Sequence, residues 1–169
     1  MNKHKLAFSF IGIFIVQLSY AGYFKHIGRE EGLSQSSVMA IYQDKLGRMW
    51  FGTREGVNIY NSDRMTVYKA WIQNGNQPDQ KVLIGNEVSA ITGSQNGDVF
   101  LIVDRALLKY DIRKETFERL RQGSVYALTS HAGEIWCAGH DSIFRYNPQN
   151  NQLDFQQKAG IPSINYLMT

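Results

Sequence analysis

Val38-Met-Ala-Ile41, Asp44-Lys-Leu-Gly47, Met49-Trp50-Phe51-Gly52-Thr53 and Gly56-Val-Asn-Ile-Tyr60 make up one unit, and the chain goes on to repeat it. The second copy reads Val88-Ser-Ala-Ile91, Gln95-Asn-Gly97, Val99-Phe100-Leu101 and Ala106-Leu-Leu-Lys-Tyr110. The third reads Val125-Tyr-Ala-Leu128, His131-Ala-Gly133, Ile135-Trp136-Cys137-Ala138-Gly139 and Ser142-Ile-Phe-Arg-Tyr146. A fourth opens at Ser163-Ile-Asn-Tyr-Leu167. Ile41, Ile91, Leu128 and Leu167 stand 50, 37 and 39 residues apart. Within each copy the aromatic (Trp50, Phe100, Trp136) precedes a tyrosine (Tyr60, Tyr110, Tyr146) by ten residues. Self-similarity at this period signals a stacked or radial repeat architecture.

Each copy divides into four short strand-like runs. The first (38–42, 88–92, 125–129) is apolar on both sides of its alternation and predicts an inner strand buried on both faces. A Gly-containing turn follows, then the run with the aromatic, then the run ending on the tyrosine. Asn and Asp break the chain after it. The fourth run (65–69, 116–120, 152–156) is more polar and suits an outer edge strand. Short strands with turn signals at this spacing predict an all-β fold, and four strands per repeat of about 40 residues describe a β-propeller blade. The expected organisation is three four-stranded antiparallel blades, at 38–69, 88–121 and 125–157, with the start of a fourth at 162–169. A long inter-blade loop spans 70–87, and residues 22–37 form a lead-in whose Tyr23–Ile27 is a candidate closing strand. Propellers close with about 4–8 blades, so the expectation is an incomplete propeller, the N-terminal fragment of a longer protein. The aromatics are expected to wedge between blades, and the three tyrosines to pack there with their hydroxyls partnered.

Composition narrows the classes further. Of 169 residues, 43% are apolar and 20% charged, an ordinary globular balance. The net charge of +3 includes Lys3 and Lys5, and the remainder is 16 basic against 15 acidic side chains without a basic cluster. A nucleic-acid partner is therefore excluded as an expectation. Lys3-His4-Lys5, the apolar run Leu6 to Leu18 and the small-x-small site Ser19-Tyr20-Ala21 read as a signal peptide over 1–21. The run is short for a bilayer core that takes about 20 residues. Cys137 is the one cysteine, so no disulfide framework exists, and its place in a strand pattern suits a buried small hydrophobe.

Asp44-x-x-Gly47-x-x-Trp50-x-Gly52-Thr53-x-x-Gly56-x-x-x-Tyr60 resembles the two-component regulator propeller repeat. The lead-in, with Phe24-Lys-His-Ile27, Glu31-Gly32-Leu33-Ser34 and Ser37-Val38, resembles the start of the periplasmic sensor region of hybrid two-component systems. The second copy departs from the pattern at Phe100 and Ile102-Val103, and the third at Cys137-Ala138. The resemblance implies a periplasmic sensor, anchored in the inner membrane, that responds to an oligosaccharide and signals through a histidine kinase core. His4, His26, His131 and His140 lie in no kinase phospho-acceptor context, so no kinase activity is expected of this chain.

Candidate ligand-binding residues come from the loops joining second to third strands, which share one propeller face with the blade-to-blade connections. These are Arg54 and Glu55, Asp104 and Arg105, and His140 and Asp141, with Trp71 in the long connection. An aromatic flanked by polar groups suits sugar recognition, while any one loop charge can equally be a solvated turn. No catalytic residue, metal ligand or cofactor is expected. Besides a sensor, two other classes remain: an interaction module that pairs with the remaining blades or as a homodimer, and a propeller enzyme acting on polysaccharide. An enzyme needs paired carboxylates or a Tyr/His base, which the repeats do not supply consistently.

Overall fold

Turns every five to seven residues cut the chain into strands too short to stand alone, and each group of four pairs into one twisted sheet. The computed structural model describes residues 24–70, 82–83 and 85–158. The regions read as signal peptide (1–21), Tyr23, Trp71, most of the 70–87 connection and the start of a fourth blade (162–169) lie outside the described residues. The first sheet contains β1 (Val38–Gln43), β2 (Met49–Thr53), β3 (Gly56–Asn61) and β4 (Arg64–Ala70), an antiparallel meander. A two-residue strand, β5 (Val82–Leu83), pairs in parallel with the outer strand β4 through Lys69–Val82 and Ala70–Leu83. The connection read as a loop thus adds a fifth strand to blade 1. The second sheet is β6 (Val88–Gly93), β7 (Val99–Val103), β8 (Ala106–Asp111) and β9 (Thr116–Arg121). The third is β10 (Ala127–His131), β11 (Glu134–Ala138), β12 (Ser142–Asn147) and β13 (Gln152–Lys158). Among the described residues the fold is all-β, three blades of an unclosed propeller.

Alternation explains how one strand serves two seams, since successive side chains of a strand point to opposite faces. In β7, Val99, Leu101 and Val103 enter the core shared with blade 1, while Phe100 and Ile102 enter the core shared with blade 3. Every residue of β7 is buried, and Ile102 and Val103, where the first copy has Gly52-Thr53, each fill one of the two seams. The aromatic of each blade meets the tyrosine of the next. Trp50 stands edge-on to Tyr110 with ring centroids 5.0 Å apart at 76°, and Phe100 to Tyr146 at 4.8 Å and 63°. Tyr68 and Phe117 extend the first cluster, each edge-on or tilted to Tyr110. Trp136 has no following tyrosine among the described residues. It is half-buried, and its buried indole N–H finds no hydrogen-bond partner there.

Asp44 is what lets Trp50 be fully buried. Its Oδ2 accepts the Trp50 indole N–H at 2.9 Å and the Arg48 Nε–H at 2.7 Å, and its Oδ1 accepts the backbone N–H groups of Leu46 and Arg48. Burial pushes the Asp44 carboxyl up, but the hydrogen bonds from Trp50 and Arg48 and the Arg48 charge outweigh it and hold the group below the usual range. Gly52 is a matter of space: a Cβ there would lie 2.8 Å from Val88 Cγ1 and 2.9 Å from the Val88 carbonyl oxygen. The glycine of the motif therefore admits the first residue of the next blade's inner strand.

Three polar residues tie the lead-in to blade 1. Ser34 Oγ donates to Thr53 Oγ1 at 2.9 Å, Thr53 donates to the Gly56 carbonyl at 3.0 Å, and Asn58 Nδ2 donates to Ser34 Oγ at 3.0 Å. Asn58 Oδ1 accepts the Ser34 N–H at 2.8 Å, so all three are buried and satisfied. Residues 24–27 take no strand conformation. A closing strand needs a partner edge, and the outer strand of a last blade is what would offer one.

The inner strands correct the sequence reading. Val38, Met39 and Ile41 are exposed rather than buried on both faces, Ile41 to 61%. Burial of an inner strand comes from blades across and beside it, and among the described residues the neighbouring inner strand packed beside β1 is β6.

Replacing Gly52 with Ala should destabilise the fold by about 1–3 kcal/mol, the usual cost of overpacking, measured as a shift in urea midpoint. The contribution of Asp44 is fully present above the ordinary aspartate value of 3.8 and is lost as pH falls towards its depressed folded value. Asp44→Asn should therefore be less stable than wild type at pH 7, with the gap narrowing as pH falls below about 4 in urea titrations.

Candidate functional site

Each blade is the same meander, so the hairpins β2–β3, β7–β8 and β11–β12 emerge at one end of the three sheets. The chain crosses between blades at that end. The Gly56 N–H donates to the Asn86 carbonyl at 2.9 Å, and the Val125 N–H donates to the Arg105 carbonyl at 3.0 Å. Six of the seven candidate residues lie in these hairpins, and the seventh, Trp71, is outside the described residues.

Their local roles differ. Arg54 and Glu55 cap the first hairpin and are exposed, with Glu55 3.5 Å from Lys69 Nζ. Asp104 and Arg105 take φ of 48° and 62°, the two left-handed residues of a two-residue hairpin turn. Both carboxylate oxygens of Asp104 are engaged: Oδ2 accepts the Asn86 N–H at 2.9 Å and Oδ1 the Glu87 N–H at 3.0 Å. Asp104 thus fixes the incoming connection. Gly85, just before it, has φ of 116°, and a Cβ there would lie 2.7 Å from Asp104 Oδ2. His140 and Asp141 are exposed, and Asp141 accepts the Ser142 hydroxyl at 2.9 Å.

Asp104 and Arg105 share a cleft of about 490 Å³ with Glu87, Ser89, Val125 and Tyr126. The Arg105 guanidinium lies 5.4 Å from the centre of the Tyr126 ring, which is 39% exposed. The cleft combines an aromatic face, a guanidinium and a carboxylate from Glu87. Tyr126, Glu87 and Ser89 were not singled out in the sequence, although a signal existed. Tyr126 follows Val125 as Met39 follows Val38 and Ser89 follows Val88, and the inner-strand register shifts at those two positions. A bulge re-aims its side chain away from the ladder. His140, Asp141, Arg54 and Glu55 do not line this cleft.

Among the described residues, no three His, Cys, Asp or Glu side chains stand close enough to share a metal ion. Burial pushes the Cys137 thiol up to about 11, so at neutral pH it is an unreactive thiol in the seam between blades 2 and 3. Among the described residues, no helix is long and apolar enough to cross a membrane.

Residues 32–55 match the family described as two component regulator propeller. That stretch of the chain is similar to a two component regulator propeller repeat. The match takes in the lead-in Gly32-Leu33-Ser34, the Asp44–Trp50 pair and Gly52-Thr53, the residues that anchor blade 1 and seat blade 2 on it. A histidine kinase of Formosa agariphila is 39% identical over 64 residues, which is 38% of this chain and 5% of that protein. The extracellular domain assigned to a hybrid two component system of B. thetaiotaomicron has the same fold, with a TM-score of 0.66 at 23% identity. The likeness covers 83% of this chain and 21% of that one. Virginiamycin B lyase from Staphylococcus aureus shares the propeller fold at a TM-score of 0.52 and 18% identity, over 76% of this chain and 42% of the lyase. The chain thus spans a small part of its sensor-system relatives.

Asp104→Ala should free the Asn86–Glu87 connection and lower stability by about 1–3 kcal/mol in urea unfolding, the cost of leaving buried or constrained donors without their acceptor.

Proposed function

We propose that this chain is a ligand-reading segment of the periplasmic propeller of a hybrid two-component sensor whose parent protein is anchored in the inner membrane. The ligand is an oligosaccharide held at the face of the β2–β3, β7–β8 and β11–β12 hairpins. The observation that carries this reading is the Tyr126 cleft, where an exposed ring, the Arg105 guanidinium and the Glu87 carboxylate converge. A sugar ring presents C–H groups to an aromatic face and hydroxyls to flanking charges. The cleft lies where blades 2 and 3 meet the connection between them, so a ligand there would brace one blade against the next. That is how a propeller segment would pass binding on to the rest of a receptor. Arg54, Glu55, His140 and Asp141 extend the same face, and Asp104 acts by fixing the connection.

A second reading has its own observation. Trp136 keeps a buried indole N–H without a partner among the described residues, on the face of blade 3 away from blade 2, and Ile41 on the inner strand of blade 1 is exposed. These surfaces suit pairing with further blades of a longer chain, or with a second copy as a homodimer. That pairing is compatible with ligand reading and does not replace it.

The test is titration of the full chain with a panel of neutral and acidic oligosaccharides by calorimetry, with release of reducing ends followed in parallel. Binding without turnover, weakened about tenfold by Tyr126→Ala, is the expected result, since an aromatic contact of this kind contributes on the order of 1 kcal/mol. Turnover of any of these glycans would support the enzyme reading instead. Binding that ignores both Tyr126→Ala and Arg105→Gln would remove this cleft from the account.

A further inference from the structure

The seams between blades 1 and 2 and between blades 2 and 3 are built from the same five positions, counted from the aromatic and tyrosine of each copy. In the second seam the positions hold Asp98, Lys109, Glu118, Tyr146 and Asn151, and they close on one another. Lys109 Nζ donates to the Tyr146 hydroxyl at 2.9 Å and to Asn151 Oδ1 at 3.1 Å, and lies 3.3 Å from Asp98 Oδ2. Tyr146 donates to Asn151 Oδ1 at 2.8 Å, and Asn151 Nδ2 donates to Glu118 Oε1 at 2.8 Å. A half-buried cation thus knits that seam together.

In the first seam the same positions hold Arg48, Ile59, Tyr68, Tyr110 and Glu115. Ile59 stands where the lysine would be and cannot reach across. What remains is a cleft of about 530 Å³ lined by Arg48, Tyr68 and Tyr110, with the exposed Asp63, Arg64 and Glu115 at its rim. It opens at the end of the sheets away from the Tyr126 cleft, among the β1–β2, β3–β4 and β8–β9 turns. The Arg48 side chain is only 14% exposed and is oriented through Nε by Asp44, yet its buried Nη2 has no hydrogen-bond partner among the described residues. An unmet buried donor on a charged group is costly, and it calls for an acceptor. The two guanidinium groups of the cleft face two carboxylates, so the cleft favours neither an anion nor a cation. A hydroxyl can accept from Arg48 and donate to Glu115 or Asp63, and the Tyr68 and Tyr110 rings supply an apolar wall. The volume is that of a small-molecule site, about 300–1,000 Å³.

We infer that the seam between blades 1 and 2 is a second binding site, for one ring of a neutral sugar, with Arg48 Nη2 as its anchoring donor and Glu115 and Asp63 as acceptors. The site exists because Ile59 leaves open what Lys109 closes one blade further on. It stands apart from the Tyr126 cleft and does not depend on it.

The probes are methyl β-D-glucopyranoside and methyl β-D-galactopyranoside, with sodium glucuronate as the charged comparison. The full chain, labelled with ¹⁵N, is titrated to about 50 mM, a range that reaches the weak end of small-ligand affinity. The Arg48 Nε–H and Trp50 Nε1–H resonances are followed, since both donate to Asp44. Saturable shifts of these two signals with a neutral glycoside, stronger than with glucuronate, are expected. Arg48→Gln and Ile59→Lys should weaken that binding about tenfold or more, the loss of one charge-assisted hydrogen bond or the filling of the cleft. Tyr126→Ala should leave it unchanged, which separates this site from the one proposed above. Should either interior variant fail to fold, Arg64→Gln at the exposed rim decides, with a several-fold loss expected. No saturable shift in wild type, a preference for glucuronate, or binding untouched by the folded variants overturns the inference.

Discussion

The edge-on contact between the aromatic of one blade and the tyrosine of the next is the constraint on which the rest of the structure depends. A four-stranded sheet of this size cannot bury both of its faces alone, and a seam between two such sheets must be filled by side chains of the right length at the right height. Trp50 on Tyr110 and Phe100 on Tyr146 do this at the same place in successive seams. The ten-residue interval between aromatic and tyrosine fixes where on β2 and β3, or on β7 and β8, each ring emerges. Changing that interval by one residue would turn a ring to the opposite face of its sheet. The invariance of the interval is therefore a packing requirement.

Much of this was legible in the sequence because it repeats. Three copies with one interval disclosed the blade, its strands and the structural use of Tyr110 and Tyr146; Tyr60 instead lies beneath the Lys25 ammonium and donates to the Ser62 carbonyl, outside either seam. The buried Ser34–Thr53–Asn58 network was not legible, since it joins residues 19 and 24 positions apart that have no counterpart in the other copies. The exposure of Ile41 was missed for a different reason. Its apolar pattern reads as that of an inner strand, and a local pattern carries no information on what packs over such a strand from outside its own sheet. β5 was hidden because two residues pairing with an outer strand leave no periodicity to detect.

The candidate site was half readable. The hairpins that carry Arg54, Glu55, Asp104, Arg105, His140 and Asp141 follow from topology, but their side chains do different things. Asp104 spends both oxygens on backbone N–H groups, a role visible only once Asn86 and Glu87 are seen to pass beside it. Tyr126, the exposed ring of that face, stands just before β10, at the repeat position where the first two inner strands carry a bulge, in a run that otherwise reads as inner strand. The two seams show the same principle at larger scale. One set of positions holds either a closed polar network around Lys109 or an open cleft around Arg48, so the scaffold is shared and the chemistry is local.

The central claim is that blades are locked in register by the aromatic-to-tyrosine contact across each seam. A double-mutant cycle on Phe100→Leu and Tyr146→Leu, followed by urea unfolding, tests it most directly. The account predicts a coupling of about 0.5–1.5 kcal/mol between the two, the value of an edge-on aromatic pair beyond the area it buries. Additive losses, with no coupling beyond about 0.3–0.5 kcal/mol, would show that the rings merely fill volume and that the register is set elsewhere.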